Sequence, residues 1–126
     1  MKTEILTQAA PAPIGPYSQA IEAGGFVFCS GQIPLDPVTG AVVGEGNVEA
    51  QITQVMKNIS AMLDAAGASF SQIVKTTIFL KNMADFPKVN PIYGSYFQAP
   101  FPARSTIEVA RLPKDVLVEV EIIVKK

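Results

Sequence analysis

The sequence has no histidine, and its single cysteine is Cys29. A chain without imidazole lacks the commonest metal ligand and the commonest general base at neutral pH, which excludes zinc hydrolases and histidine-based triads. One cysteine makes neither an intramolecular disulfide nor a thiolate cluster. With apolar Val27 and Phe28 beside it and no base to activate it, Cys29 reads as core filler. There is no excess of charge either: ten basic against eleven acidic side chains leave a formal net charge of -1. That balance provides no phosphate-tracking groove and no attraction to an anionic membrane, so neither nucleic acid nor membrane is an expected partner. The chain lacks a GxxxxGK[ST] loop and a Gly-rich strand-to-helix turn, so an enzyme built on it is expected to work without metal or nucleotide cofactor. No apolar run is long enough to span a bilayer, and the opening "MKTEILTQAAPAP" does not resemble a signal peptide, which gives the expectation of a cytoplasmic protein.

What is present is enough for one domain, 1–126, with 48% hydrophobic residues to fill a core. After an arm carrying Pro11, Pro13 and Pro16, "YSQAIEAGGFVFCSGQI" alternates and turns at Gly24-Gly25, predicting a β-hairpin over Tyr17–Ile33. "PLDPVTGAVV" is turn-rich connection. From Asn47 to Ala66 apolar residues recur at three- and four-residue spacing, with Asn47 as cap and Gly67 as terminator, predicting a helix. "IVKTTIFL" is β-branched and predicts a strand. Helical spacing returns through Phe86, Val89, Tyr93 and Phe97, and Asn90 as cap with Pro91 at the first helical position is the expected start. "FPARSTIEVA" and "DVLVEVEIIV" are expected to close the chain as a hairpin around "RLPK". The order ββ-α-β-α-ββ predicts an α+β domain with two helices on one face of a mixed sheet. The opposite face, with few charges to solvate it, is expected to pack against other subunits.

Charges inside the closing strands need an explanation, because a charge in an apolar strand is costly unless it is paired, hydrated in a cleft, or met by a charged ligand. In an antiparallel pair, residues opposite one another share a face. Pairing Ala110 with Asp115 gathers Arg104, Thr106, Glu108, Leu117, Glu119 and Glu121 on one face, whereas a one-residue slip mixes charged with apolar residues on both. The segregating register is preferred; it sets Thr106 opposite Glu119 with Arg104 diagonal to it, on the face away from the helices. A structural ion pair or a solvated strand face would account for the same charges. Against that, the planar fork of Arg104 suits bidentate capture of a carboxylate, and a neighbouring Glu can orient water or move a proton.

The segments "IGPYSQA", "CSGQIPLDPVTG", "VKTTIFLKNMADFPKVN" and "FPARSTIEVARLPKDVLVEVE" together resemble the RidA group of the Rid (YjgF-type) family over nearly the whole chain. The resemblance implies a chorismate-mutase-like α+β fold, a homotrimer with a barrel-like centre, and active sites in the clefts between subunits. It also implies cofactor-free hydrolysis of 2-imino and 2-enamine acids, chiefly 2-aminoacrylate and 2-aminocrotonate, to 2-keto acids and ammonia. By position, Arg104 would clamp the substrate carboxylate and Glu119 would activate the attacking water. Tyr17, Ser30, Gly31, Asn90 and Thr106 fall on the family's substrate-binding positions. The first four have purely structural alternatives: hairpin aromatic for Tyr17, strand end for Ser30 and Gly31, helix cap for Asn90. Thr106 stands where many RidA members carry cysteine, and Pro91 follows Asn90 where another residue is usual.

The chemistry suits these parts, since an iminium carbon is already electrophilic and needs positioning and a polarised water rather than a metal. Two other classes of function stay open. One is a non-catalytic binder of small 2-keto acids, which would need the same carboxylate clamp. The other, ranked below both, is an endoribonuclease or translation inhibitor.

Overall fold

The computed structural model describes all residues, Met1–Lys126. Six strands and two α-helices run in the order β1 (Thr3–Ile5), β2 (Ala20–Ala23), β3 (Phe26–Gln32), α1 (Val48–Ala66), β4 (Ile73–Leu80), α2 (Phe86–Gly94), β5 (Ala103–Glu108) and β6 (Val118–Lys125). They form one mixed sheet of order β1-β2-β3-β6-β4-β5. Both helices cover the same face, as the apolar spacing predicts.

Local chemistry accounts for most boundaries. Gly24 and Gly25 adopt φ of 60° and 80°, the positive values that a tight hairpin turn requires, and β2 pairs with β3 across them. The Asn47 side chain accepts from Ala50 N–H to start α1, and Gly67 ends it in the left-handed region. Between them Val48, Ile52, Val55, Met56, Ile59, Met62, Leu63 and Ala66 are buried against Val118, Val120, Ile122 and Val124 of β6 and Val27 and Cys29 of β3. Gln51 and Asn58 are buried on the same helix because they hold backbone. Gln51 donates to Gly44 O and accepts from Leu117 N–H, while Asn58 donates to Ile33 O and Leu35 O. These bonds fix the loop after β3 and the approach to β6, the two segments that flank the candidate site.

Two expectations need correction. The closing strands do not form a hairpin: β5 pairs in parallel with β4, and β6 lies on the other side of β4, antiparallel to it. The link from Val109 to Leu117 passes over the end of β4, where Val109 N–H donates to Leu80 O and Lys81 N–H to Leu117 O. A nine-residue link is long enough to step over one strand, since neighbouring strands are only ~4.8 Å apart, and alternation alone cannot tell a nearest neighbour from the next one out.

Asn90 and Pro91 do not start α2. Pro87 occupies the first turn, and Pro91 lies inside a helix whose buried residues are Val89 and Tyr93. Proline is tolerated near a helix start because only one internal hydrogen bond is lost there, and apolar packing of this face outweighs that loss. Ahead of the prolines, Thr3–Ile5 adds an edge strand to β2 and buries Ile5, an element not assigned from the sequence.

Candidate active site

The parallel pairing of β4 and β5 decides where Arg104 sits. A parallel pair needs a crossover, here supplied by α2, which therefore lies over the strand it precedes. Arg104 is opposite Thr76, itself fully buried and opposite Ile122, so Arg104 projects on the helix-covered side of the edge strand. Phe86, Asn90 and Tyr93 stand at i, i+4 and i+7 on α2 and meet it as one face. The guanidinium lies 5.2 Å from the ring centroids of both Phe86 and Tyr93, and Nη1 donates to Asn90 Oδ1 at 2.7 Å. Tyr93 is anchored in turn by a 2.7 Å hydrogen bond between its hydroxyl and that of Thr76. Arg104, Asn90, Tyr93, Gly94, Phe101 and Pro102 line an open cleft of about 530 Å³. The bond to Asn90 is the only hydrogen bond of the guanidinium within the chain, which leaves its other N–H groups available to an anion in this cleft.

Glu119 is elsewhere. It is opposite Phe79, which is opposite Ile107, on the face that no helix covers. Arg104 and Glu119 of one chain therefore lie on opposite faces of the sheet with β4 between their strands, and the expected diagonal contact is absent. Thr106 is likewise not opposite Glu119; it pairs with Ile78 on the helix side and is half-buried.

Around Glu119 the chain builds a second cleft, of about 470 Å³, whose lining includes Tyr17, Ser30, Gly31 and Glu119 together with Ile14, Ile33 and Pro113. An irregularity in the β3–β6 pairing between Cys29 and Gln32 displaces Ser30 and Gly31 from the regular ladder. Gly31 then packs so closely on Glu119 that a Cβ there would overlap the carboxylate, with Glu119 Cδ only 2.8 Å away. Ser30 is pinned by its hydroxyl donating to Ser18 O at 2.6 Å and its N–H to Gln19 O at 2.9 Å. Ile14 N–H donates to the Tyr17 hydroxyl at 3.2 Å, which leaves the phenolic proton free to donate into the cleft.

Half-burial raises the Glu119 carboxyl above its ordinary range, and the neighbouring charge of Glu121 pushes the same way. A carboxylate so treated is a stronger base than one in bulk water. Burial also pushes the Cys29 thiol up to about 11, in keeping with its reading as inert core.

The predicted site residues thus fall into two groups: Tyr17, Ser30, Gly31 and Glu119 in one cleft, Arg104 and Asn90 in the other. Thr106 lines neither. Sequence reasoning missed Phe86 and Tyr93 as supports for Arg104, although their spacing about Asn90 was the available signal. It also missed Gln19, which lines the Glu119 cleft and stands in a hairpin otherwise read only for its alternation.

Fold and clefts define a class: an α+β domain with one bare sheet face and two clefts, one built on a carboxylate, the other on an arginine. The profile of the Endoribonuclease L-PSP family matches residues 7–126, and the chain belongs to that family. It is 60% identical to a RutC family protein of Synechocystis, over 93% of this chain and 91% of that one. It is 51% identical to the 2-iminobutanoate/2-iminopropanoate deaminase of Salmonella typhimurium, over 98% of this chain and 97% of that one. The crystal structure of a Rid-family protein from Yersinia pestis superposes with a TM-score of 0.96 at 51% identity, covering 100% of both chains. The resemblance read from the four sequence segments and the fold expected from it both stand.

Proposed function

We propose that the protein is a cofactor-free deaminase that hydrolyses 2-imino and 2-enamine acids such as 2-aminoacrylate and 2-aminocrotonate to 2-keto acids and ammonia. The observation that carries the reading is the raised, half-buried carboxyl of Glu119 in a cleft with Tyr17 and Ser30. The relative named as a deaminase, at 51% identity, supports it. In this reading Arg104, steadied by Asn90, binds the substrate carboxylate through the two N–H groups of its fork. Tyr17 and Ser30 hold the nitrogen end, and Glu119 takes a proton from water as it adds to the iminium carbon. The same carboxyl returns that proton to nitrogen. As the C–N bond of the carbinolamine breaks, the hydroxyl gives its proton to the carboxylate, leaving the 2-keto acid and ammonia. An enamine enters this path as its 2-imino tautomer. No covalent enzyme intermediate is required, because the electrophile is already activated.

The separation of Arg104 from Glu119 makes a second element of the proposal necessary: the site is completed between copies of the chain, as a homotrimer packed through the bare sheet face. Phe26, Phe28 and Ile107, which are 36%, 46% and 44% exposed in the single chain, provide the apolar surface for that contact. The Arg104 cleft of one copy then meets the Glu119 cleft of the next.

The test is to generate 2-aminoacrylate in situ and follow its loss with the wild type, Arg104→Ala and Glu119→Gln. The expected result is acceleration by the wild type and a fall of ~100-fold or more in each variant, the range for removing a positioned charge or a general base. A wild type that binds pyruvate without accelerating hydrolysis would make the protein a keto-acid binder. Cleavage of single-stranded RNA without imine hydrolysis would overturn the proposal outright.

A further inference from the structure

One wall of the Glu119 cleft comes from the N-terminal arm, which contributes Pro11, Ala12, Ile14 and Tyr17. This segment is poorly equipped to hold itself. Pro11, Pro13 and Pro16 have no N–H to donate, and the bonds that Ala9, Ile14 and Tyr17 donate stay within the arm, on Thr7, Tyr17 and Gly15. From Thr7 to Tyr17, the hydrogen bonds that leave the arm converge on one side chain, Gln19. Its Oε1 accepts from Thr7 N–H at 2.8 Å, and its Nε2 donates to the carbonyls of Thr7, Pro11 and Ala10 at 3.0, 2.9 and 3.3 Å. Gln19 is only 2% exposed, so these bonds replace water rather than compete with it. Its own carbonyl accepts from Ser30 N–H at 2.9 Å, beside the Gly31 that backs Glu119.

We propose that Gln19 is the positioning residue that fastens the proline-rich arm as a wall of the Glu119 cleft, and so sets substrate affinity without touching the reacting atoms. This rests on the deaminase reading of that cleft. A carboxamide is required because the arm presents one donor and three acceptors to it, and only an amide both accepts and donates at that reach. A carboxylate in the same volume could still accept from Thr7 N–H but would set three carbonyl oxygens against a negative charge.

The test is Gln19→Glu, read by amide hydrogen exchange and by steady-state kinetics on 2-aminocrotonate. We expect exchange in residues 7–17 to speed by at least ~10-fold while the amides of β3, β4 and β6 keep their protection. KM should rise by about tenfold with kcat held within about threefold, the signature of lost uniform binding. Faster exchange with unchanged KM would show that the arm is no part of the working site, and unchanged exchange would show that Gln19 does not hold it; either overturns the proposal. An equal fall in kcat and kcat/KM with KM unchanged would also do so, by placing Gln19 in the chemistry. If Gln19→Glu does not fold, Gln19→Met removes the same four bonds without burying a charge, and the same readouts apply. A wild type inactive on imines would sink the deaminase reading alone; the exchange data and the Kd for pyruvate, in place of KM, would still decide on Gln19.

Discussion

The two clefts prepare their charged groups by opposite means. Glu119 is made a better base by where it is: half-buried, pressed on Gly31, with Glu121 repelling it. Arg104 is exposed, and its fitness comes from being held, between two rings and an asparagine, at the edge of the sheet. A carboxylate must lose water to gain basicity, whereas a guanidinium stays charged at any working pH and needs only orientation. The two groups lie on opposite faces of the sheet: Arg104 at its edge on the helix-covered side, and Glu119 on the other face, half-buried by the arm and loop that wall its cleft.

The largest effect short of removing either group is expected from Gly31→Ala. Gly31 is not in the left-handed region, so the glycine is there for space, and a Cβ would drive the Glu119 carboxylate aside. A displacement of about 1 Å at a reacting group costs ~100-fold in turnover. We expect that loss in kcat with thermal unfolding little changed; wild-type turnover would mean that the carboxylate acts from another position.

Loosening Arg104 should be milder. Phe86→Leu removes one ring from under the guanidinium, and an exposed cation–π contact is worth ~0.5–1 kcal/mol. A rise in KM of about two- to fivefold is expected, with kcat nearly constant. A comparable fall in kcat would show that Phe86 supports the chemistry and not merely the clamp.

The smallest effect belongs to Glu121, whose charge raises the Glu119 carboxyl. A general base must be deprotonated, so activity is lost as pH falls through its pKa. In Glu121→Gln that pKa drops, and the acid limb of the pH–rate profile should move to lower pH while the plateau rate stays within about twofold. A shift to higher pH would contradict the assigned coupling.

Much of this was legible in the residues. The helix from Asn47 and the strand Ile73–Leu80 follow from spacing, capping and β-branching, all local signals. The strand partners of β5 and β6 were not legible, because period-2 alternation fixes which residues share a side within a strand but not which strand lies next to it. That one ambiguity put Arg104 beside Glu119 in the same chain, where the fold separates them. Asn90 was misread for a related reason: a residue before proline is a good cap, but apolar packing of Val89 and Tyr93 carries the helix through Pro91 and frees Asn90 for Arg104. Gln19 could not be assigned before the arm it holds had a position.

The claim on which the account turns is that Arg104 of one copy works with Glu119 of another. Subunit mixing tests it directly. Arg104→Ala and Glu119→Gln are each expected to be inactive alone; co-expressed and purified through two different tags, they should form mixed trimers in which about a third of the sites have both groups intact. Recovery of imine hydrolysis to about that fraction of wild type is the predicted result. Mixed assemblies that remain as inactive as their parents would contradict it, and would place both residues in a site made within one chain.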